Sequence, residues 1–223
     1  MLNYHTVPLF PSPVIQVIVD DDTSELLEYS SKDTTVSTNQ SNSTNHYEGR
    51  KLAVSSRILE KYPKTKQILL DTFNSVAEEV LGYEKRDYQI TTSWITETNK
   101  GENSQLHSHK NSFWSCVYYF QEEYPEGTGG ILFDNPNTEL FDFYYSDNDI
   151  VEKNEWNSST CIFPPHSKLL LVFPSYLKHQ VFTHGLDTKR CSLAFNLVPL
   201  GNYGIGDSQY DTTWVTPSLG AWR

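Results

Sequence analysis

The rhythm of apolar and polar positions changes twice along the 223-residue chain. The run Val14-Ile15-Gln16-Val17-Ile18-Val19 is apolar and β-branched and follows two prolines, so it reads as a strand at a sheet margin. Residues 20–48 lose that pattern. Thr34 to Asn45 is almost free of apolar residues and reads as a surface loop or poorly ordered excursion, one that a lid over a pocket would also fit. From Ser55 to Leu81 the spacing turns helical, with Ile58, Leu59, Ile68, Leu69, Phe73, Val76, Val80 and Leu81 at three- and four-residue steps. Pro63 divides this segment into a short helix and a longer one from about Thr65 to Leu81, closed by Gly82. From Tyr88 onward short strand-like runs alternate with Gly, Pro, Asn and Asp clusters. The predicted strands are 88–96, 113–120, 130–134, 140–145, 168–173, 180–183 and 190–197. Helices first and then many short strands predict one α+β domain, mainly β, with the helices buttressing one face of a sheet. Its expected parts are an N-terminal portion over 1–87, a β core over 88–200 and a C-terminal extension over 201–223.

Composition narrows the partners. A net charge of -11 disfavours binding driven by nucleic-acid phosphates, and no basic patch stands out. Tyr 14, Phe 11 and Trp 5 suit a β-rich domain. Cys116, Cys161 and Cys191 are odd in number and lack a CxxC spacing, which argues against a disulfide framework and against a ribbon-type zinc site. The N-terminal residues do not read as a signal peptide and no apolar run reaches membrane-spanning length, so a soluble protein in a reducing cytoplasm is expected.

Candidate chemistry begins at Gln105 to Phe120. His107 and His109 are spaced i, i+2 at the mouth of a strand-like run, and in an extended chain two such side chains point the same way, as two ligands of one metal must. A second constellation runs from Phe173-Pro174-Ser175 through His179 to Arg190-Cys191-Ser192-Leu193-Ala194-Phe195-Asn196. A histidine pair, a distant single histidine and an arginine on the next strand form an arrangement expected of a double-stranded β-helix iron site. His5, His46, His166 and His184 read as surface or turn residues, and Asn196 and Pro174 as structural ones.

Four motifs in order, His107 to Tyr119, Gly130-Ile131-Leu132-Phe133-Asp134-Asn135-Pro136, Phe173 to His179, and Arg190 to Asn196, resemble the 2-oxoglutarate/Fe(II)-dependent oxygenases of bacteria and phages. The resemblance covers roughly residues 88 to 200. It implies a jelly-roll, cupin-like core, a cytoplasmic setting in a bacterium or a phage-infected cell, and Fe(II) and 2-oxoglutarate as cofactors. It implies that His107 and His179 are iron ligands and that His109 stands where most of the superfamily has Asp. It implies further that Arg190 pairs with the distal carboxylate of 2-oxoglutarate, with Ser192 adding a hydrogen bond. Tyr118 or Tyr119 supplies a further hydroxyl; alternation sets Tyr118 on the face of Trp114 and Cys116 and Tyr119 on that of Ser115 and Val117. The ordinary iron triad is two histidines and a carboxylate, so Asp134 or Asp142 is an alternative third ligand. The family tends to have Gly at the place of Cys116, whose side chain would then narrow the pocket or bring a thiol near the metal.

The activity so implied is a dioxygenase that hydroxylates a protein side chain or a small metabolite, consuming O2 and 2-oxoglutarate and releasing succinate and CO2. A non-oxidative cupin-like metalloenzyme and a catalytically silent jelly-roll binding protein are the competing readings, and a homodimer is among the assemblies admitted. Arg190 and Ser192 favour the first, because an arginine facing a metal has little use without an acidic co-substrate.

Overall fold

The computed structural model describes residues 5–8, 10–29, 35–38, 44–47, 57–137 and 150–212. Eleven strands build the core: β1 (Ile15–Ile18), β2 (Thr35–Thr38), β3 (Thr44–Tyr47), β4 (Tyr88–Thr98), β5 (Ser104–His107), β6 (Trp114–Tyr118), β7 (Ile131–Asp134), β8 (Thr160–Phe163), β9 (Leu169–Pro174), β10 (His179–Val181) and β11 (Arg190–Pro199). Seven of them form a large antiparallel sheet in the order β1-β9-β6-β11-β4-β3-β2. Four form a small one in the order β5-β10-β7-β8. This is the two-sheet jelly roll that the family resemblance implies.

The only α-helix among the described residues, α1 (Pro63–Ser75), begins on Pro63, whose fixed φ and missing N–H suit a first helical position. A π-helical turn over Val76–Val80 continues it, and Gly82 follows with φ +70. The preceding segment forms a 3-10 turn at Ile58–Lys61 instead of a separate α-helix. Leu69, Phe73, Val76 and Ala77 fall on one stripe of α1 and its extension and join a buried cluster with Ile90, Trp114, Cys116, Tyr118, Leu193, Phe195 and Leu197. Phe73 meets the Tyr88 ring edge-on at 4.8 Å. The helix therefore covers the outer face of the large sheet.

Alternation sends the remaining residues of the same strands to the inner face. A second cluster there, Tyr119, Ile131, Phe133, Leu169, Leu171, Phe173 and Leu177, glues the two sheets together. Close approach at the small sheet demands glycine: a Cβ on Gly129 would lie 2.3 Å from the carbonyl oxygen of Phe182, just beyond β10. No helix among the described residues is long and apolar enough to cross a membrane.

One expectation for the N-terminal half changes. Part of the polar 34–45 stretch is a β2-β3 hairpin whose second strand pairs with β4, Asn45 opposite Thr96, so its backbone extends the large sheet. It lacks apolar alternation, and its order comes from the hydrogen-bonding edge of β4. The predicted strand at 140–145 lies outside the described residues.

Candidate metal centre

Three histidines converge where the two sheets meet. His107 closes β5 and His179 opens β10, and the two are direct cross-strand partners, which puts their side chains on one face. His109 follows two residues later in the loop before β6, not on a strand. It still faces its neighbour, with the rings of His107 and His109 stacked at 5.3 Å and 27°. The His107 and His179 rings are 4.4 Å apart, and one ligand atom from each of the three lies within 4.8 Å of the others. His107 is exposed, His109 half-buried and His179 buried, so the centre opens toward solvent on one side.

The outer nitrogens settle which atoms face inward. His107 Nδ1 lies 2.7 Å from the carbonyl oxygen of Gln105, and His179 Nδ1 lies 2.9 Å from that of Leu177. His109 Nδ1 lies 2.7 Å from Asn196 Oδ1. A carbonyl oxygen only accepts, so each Nδ1 carries a proton, and the neutral form of each ring is the tautomer that keeps its lone pair on Nε2. Burial, and then the facing His107, push His179 down to about 3. Burial likewise lowers His109, against the opposing effect of its bond to Asn196. Imidazoles with tautomers fixed in this way are a fit donor set for a divalent transition metal. Asp134 is not part of the group, and Asp142 lies outside the described residues.

Arg190 begins β11. It shares a strand face with Ser192, Ala194 and Asn196, the face from which Asn196 reaches His109. Arg190 is 2 % exposed, its Nη1 and Nη2 each donate one bond of 3.4 Å, to Ser192 Oγ and Tyr119 Oη, and its Nε has no acceptor among the described residues. Among the described residues no carboxylate pairs with it. The group lies 5.3 Å above the Tyr119 ring, and Tyr119 belongs to the inter-sheet cluster whose Phe173 and Phe133 touch His179. Tyr119 is thus the tyrosine beside Arg190. Tyr118 points the other way, its hydroxyl 2.7 Å from Thr23 Oγ1.

Cys116 also faces away from the site, into the cluster under α1, where burial pushes its thiol well above the usual range. It neither narrows the inter-sheet space nor brings a thiol to the metal. His184 is buried rather than exposed, its Nε2 2.5 Å from the Thr188 carbonyl oxygen, a structural role inside a turn. Asn196, Ser115 and Ser175 are the polar residues that the motif reading left without a role at the site; only register shows that Asn196 stands beside Ser115.

Residues 92–196 match the family model described as "Putative 2OG-Fe(II) oxygenase". The β core is a 2OG-Fe(II) oxygenase family domain. Solved structures agree on the fold of this oxygenase domain. An oxidoreductase of the 2OG-Fe(II) oxygenase family from Burkholderia pseudomallei is 14% identical, with a TM-score of 0.53 over 82% of this chain and 83% of that one. HygX from Streptomyces hygroscopicus, solved with nickel, 2-oxoglutarate and hygromycin B, is 9% identical at 0.55 over 84% and 83%. The α-ketoglutarate-dependent epimerase SnoN of nogalamycin biosynthesis is 10% identical at 0.58 over 94% and 85%. No curated protein sequence matches the chain.

Proposed function

We propose that the chain is a 2-oxoglutarate- and Fe(II)-dependent oxygenase that hydroxylates a C–H bond of a protein side chain or small metabolite, with release of succinate and CO2. The observation that carries this reading is a buried arginine without a counter-ion among the described residues, on the same inner face as a histidine triad. A metal-only enzyme or an empty binding barrel has no use for that charge. A diacid co-substrate supplies both the metal chelate and the missing carboxylate.

In this assignment His107, His109 and His179 hold the iron through Nε2. Arg190 clamps the distal carboxylate of 2-oxoglutarate, because a guanidinium offers parallel N–H donors and keeps its charge at any working pH. Tyr119 Oη and Ser192 Oγ, which reach Arg190 at 3.4 Å, turn to share that carboxylate. Bound iron supplies the activation of O2 that oxidatively decarboxylates the co-substrate and leaves an oxidant for the C–H bond. Phe133, Phe173 and Leu171 line the inner face with apolar surface and exclude water from it. The exposed edge at His107 is where a primary substrate enters.

Anaerobic addition of Fe(II) and 2-oxoglutarate is expected to give a weak visible charge-transfer band. His179→Ala should abolish both the band and succinate formation. Absence of the band from the wild-type protein at saturating ligand refutes the assignment.

A further inference from the structure

The ring of His109 takes its hydrogen-bond partner from an amide on β11. We infer that Asn196 is a positioning residue that fixes the Nδ1–H tautomer of His109 and so aims its Nε2 at the metal. The inference rests on the proposed metal site only for its consequence, since the tautomer itself is a property of the metal-free chain.

His109 is the ligand with the least help from its own segment. His107 and His179 each bond a main-chain carbonyl two residues before them, a local contact that the strand ends supply. His109 lies in a loop and has no such partner. Its main-chain N–H donates to the Ser175 carbonyl oxygen at 2.9 Å, and its ring reaches across to β11. Asn196 Oδ1, at 2.7 Å, receives the Nδ1 proton, and Ser115 Oγ donates to the same oxygen at 2.8 Å while lying 3.0 Å from the ring nitrogen.

The amide is itself oriented. Its Nδ2 donates to Thr92 Oγ1 at 2.9 Å, on the neighbouring strand β4, which leaves the oxygen for the ring. Ser175 Oγ stands 2.8 Å from Ser115 Oγ and 2.6 Å from Ser112 Oγ, so the network is continuous with the turn that follows β9. Asn196, Ser115 and Ser175 are buried. Water is therefore a poor substitute for any of these partners.

The opposite tautomer would set two acceptors, a ring lone pair and an amide oxygen, against each other at 2.7 Å and would place a proton where the metal must bind. Partners of this kind behind a metal-bound histidine typically govern affinity by about 10- to 100-fold. Asn196 acts through His109 and need not touch metal or co-substrate.

Two measurements test this. Ring-nitrogen NMR of the 15N-labelled, metal-free protein at pH 8 is expected to show His109 protonated at Nδ1, and to show Nε2–H gained in Asn196→Leu. Co(II) titration is expected to give a roughly 10- to 100-fold weaker affinity for Asn196→Leu, and wild-type or tighter affinity for Asn196→Asp, which keeps an oxygen acceptor. An Nε2–H His109 in the wild type, or Asn196→Leu binding Co(II) within about threefold of wild type, overturns the inference. Should Asn196→Leu not fold, Thr92→Val removes only the anchor of the amide; unchanged Co(II) affinity there overturns it as well. Wild-type affinity in His179→Ala would instead sink the metal site, and the tautomer result would still stand or fall by itself.

Discussion

Replacing Arg190 with Met separates a residue kept for its ligand from one kept for the fold, because the two roles predict opposite signs. Arg190 is 2 % exposed, its Nε is unpartnered among the described residues, and its other nitrogens reach only neutral oxygens at 3.4 Å, the long limit of hydrogen bonding. A buried charge with so little compensation costs the metal-free, ligand-free protein several kcal/mol, and an apolar side chain of similar volume removes that cost. Allowing for relaxation and lost packing, Arg190→Met should stabilise the empty protein by about 1–2 kcal/mol, which for a chain of this size raises Tm by roughly 2–8 °C. In the proposed clamp the same change deletes a desolvated charge pair with the distal carboxylate, worth about 2–5 kcal/mol, or roughly 30- to 5,000-fold in 2-oxoglutarate affinity. Scanning calorimetry of the empty protein and anaerobic titration of 2-oxoglutarate into the metal-loaded protein read the two numbers separately. A fall in the empty protein's Tm refutes the reasoning about uncompensated charge, and an unchanged 2-oxoglutarate affinity refutes the clamp.

Three further outcomes follow from the geometry. Phe73→Ala empties a fully buried site between α1 and the rings of Tyr88 and Trp114, and should cost about 3–5 kcal/mol while leaving Co(II) affinity below the melting range unchanged; a change in affinity would show that α1 acts on the metal centre. Gly129→Ala forces a Cβ against the Phe182 carbonyl oxygen and should cost roughly 1–3 kcal/mol and weaken metal binding by displacing β10, which thermal melts and Co(II) titration would detect; wild-type values in both contradict the close approach. Stability of the metal-free protein should be full above about pH 6.5 and fall as the pH drops toward 3, since the unfolded chain takes up protons there that His179, held at about 3, does not. At pH 5 His179 alone accounts for about 2 kcal/mol, and His179→Gln should flatten the Tm profile between pH 7 and 5.

The parts of the fold written as apolar rhythm were readable before any coordinates. β1, β4, β6, β7, β9 and β11 fall within a few residues of their expected bounds, because each buries alternate side chains in one of the two cores. β2, β3, β5 and β8 were not: β2, β3 and β5 carry few apolar residues, β8 turns most of its side chains to solvent, and pairing with the strands beside them orders all four. At the site, spacing brings His107 and His109 together, but the loop placement of His109 and its dependence on Asn196 rest on contacts between residues 87 positions apart. Alternation separates Tyr118 from Tyr119 into two faces; only the packing of α1 against one of them decides which face is the outside. The same fact moves Cys116 from the pocket to the helix side.

The triad also shifts where the binding energy of the site must come from. A carboxylate ligand attracts a divalent cation by charge, whereas three imidazoles offer none, and the amide behind His109 is neutral too. With Arg190 buried on the same inner face, the proposed site is a poor place for a cation until an anion joins it. The two negative charges of 2-oxoglutarate answer both cations at once, so each partner improves the site for the other, and by linkage the improvement is equal in both directions. Charge then secures the pair, while geometry must secure the metal alone. In the proposed site the acceptors at Gln105, Leu177 and Asn196 then matter as much as the rings do: with no ligand charge to draw the ion in, affinity would depend on three Nε2 lone pairs already being aimed before it arrives.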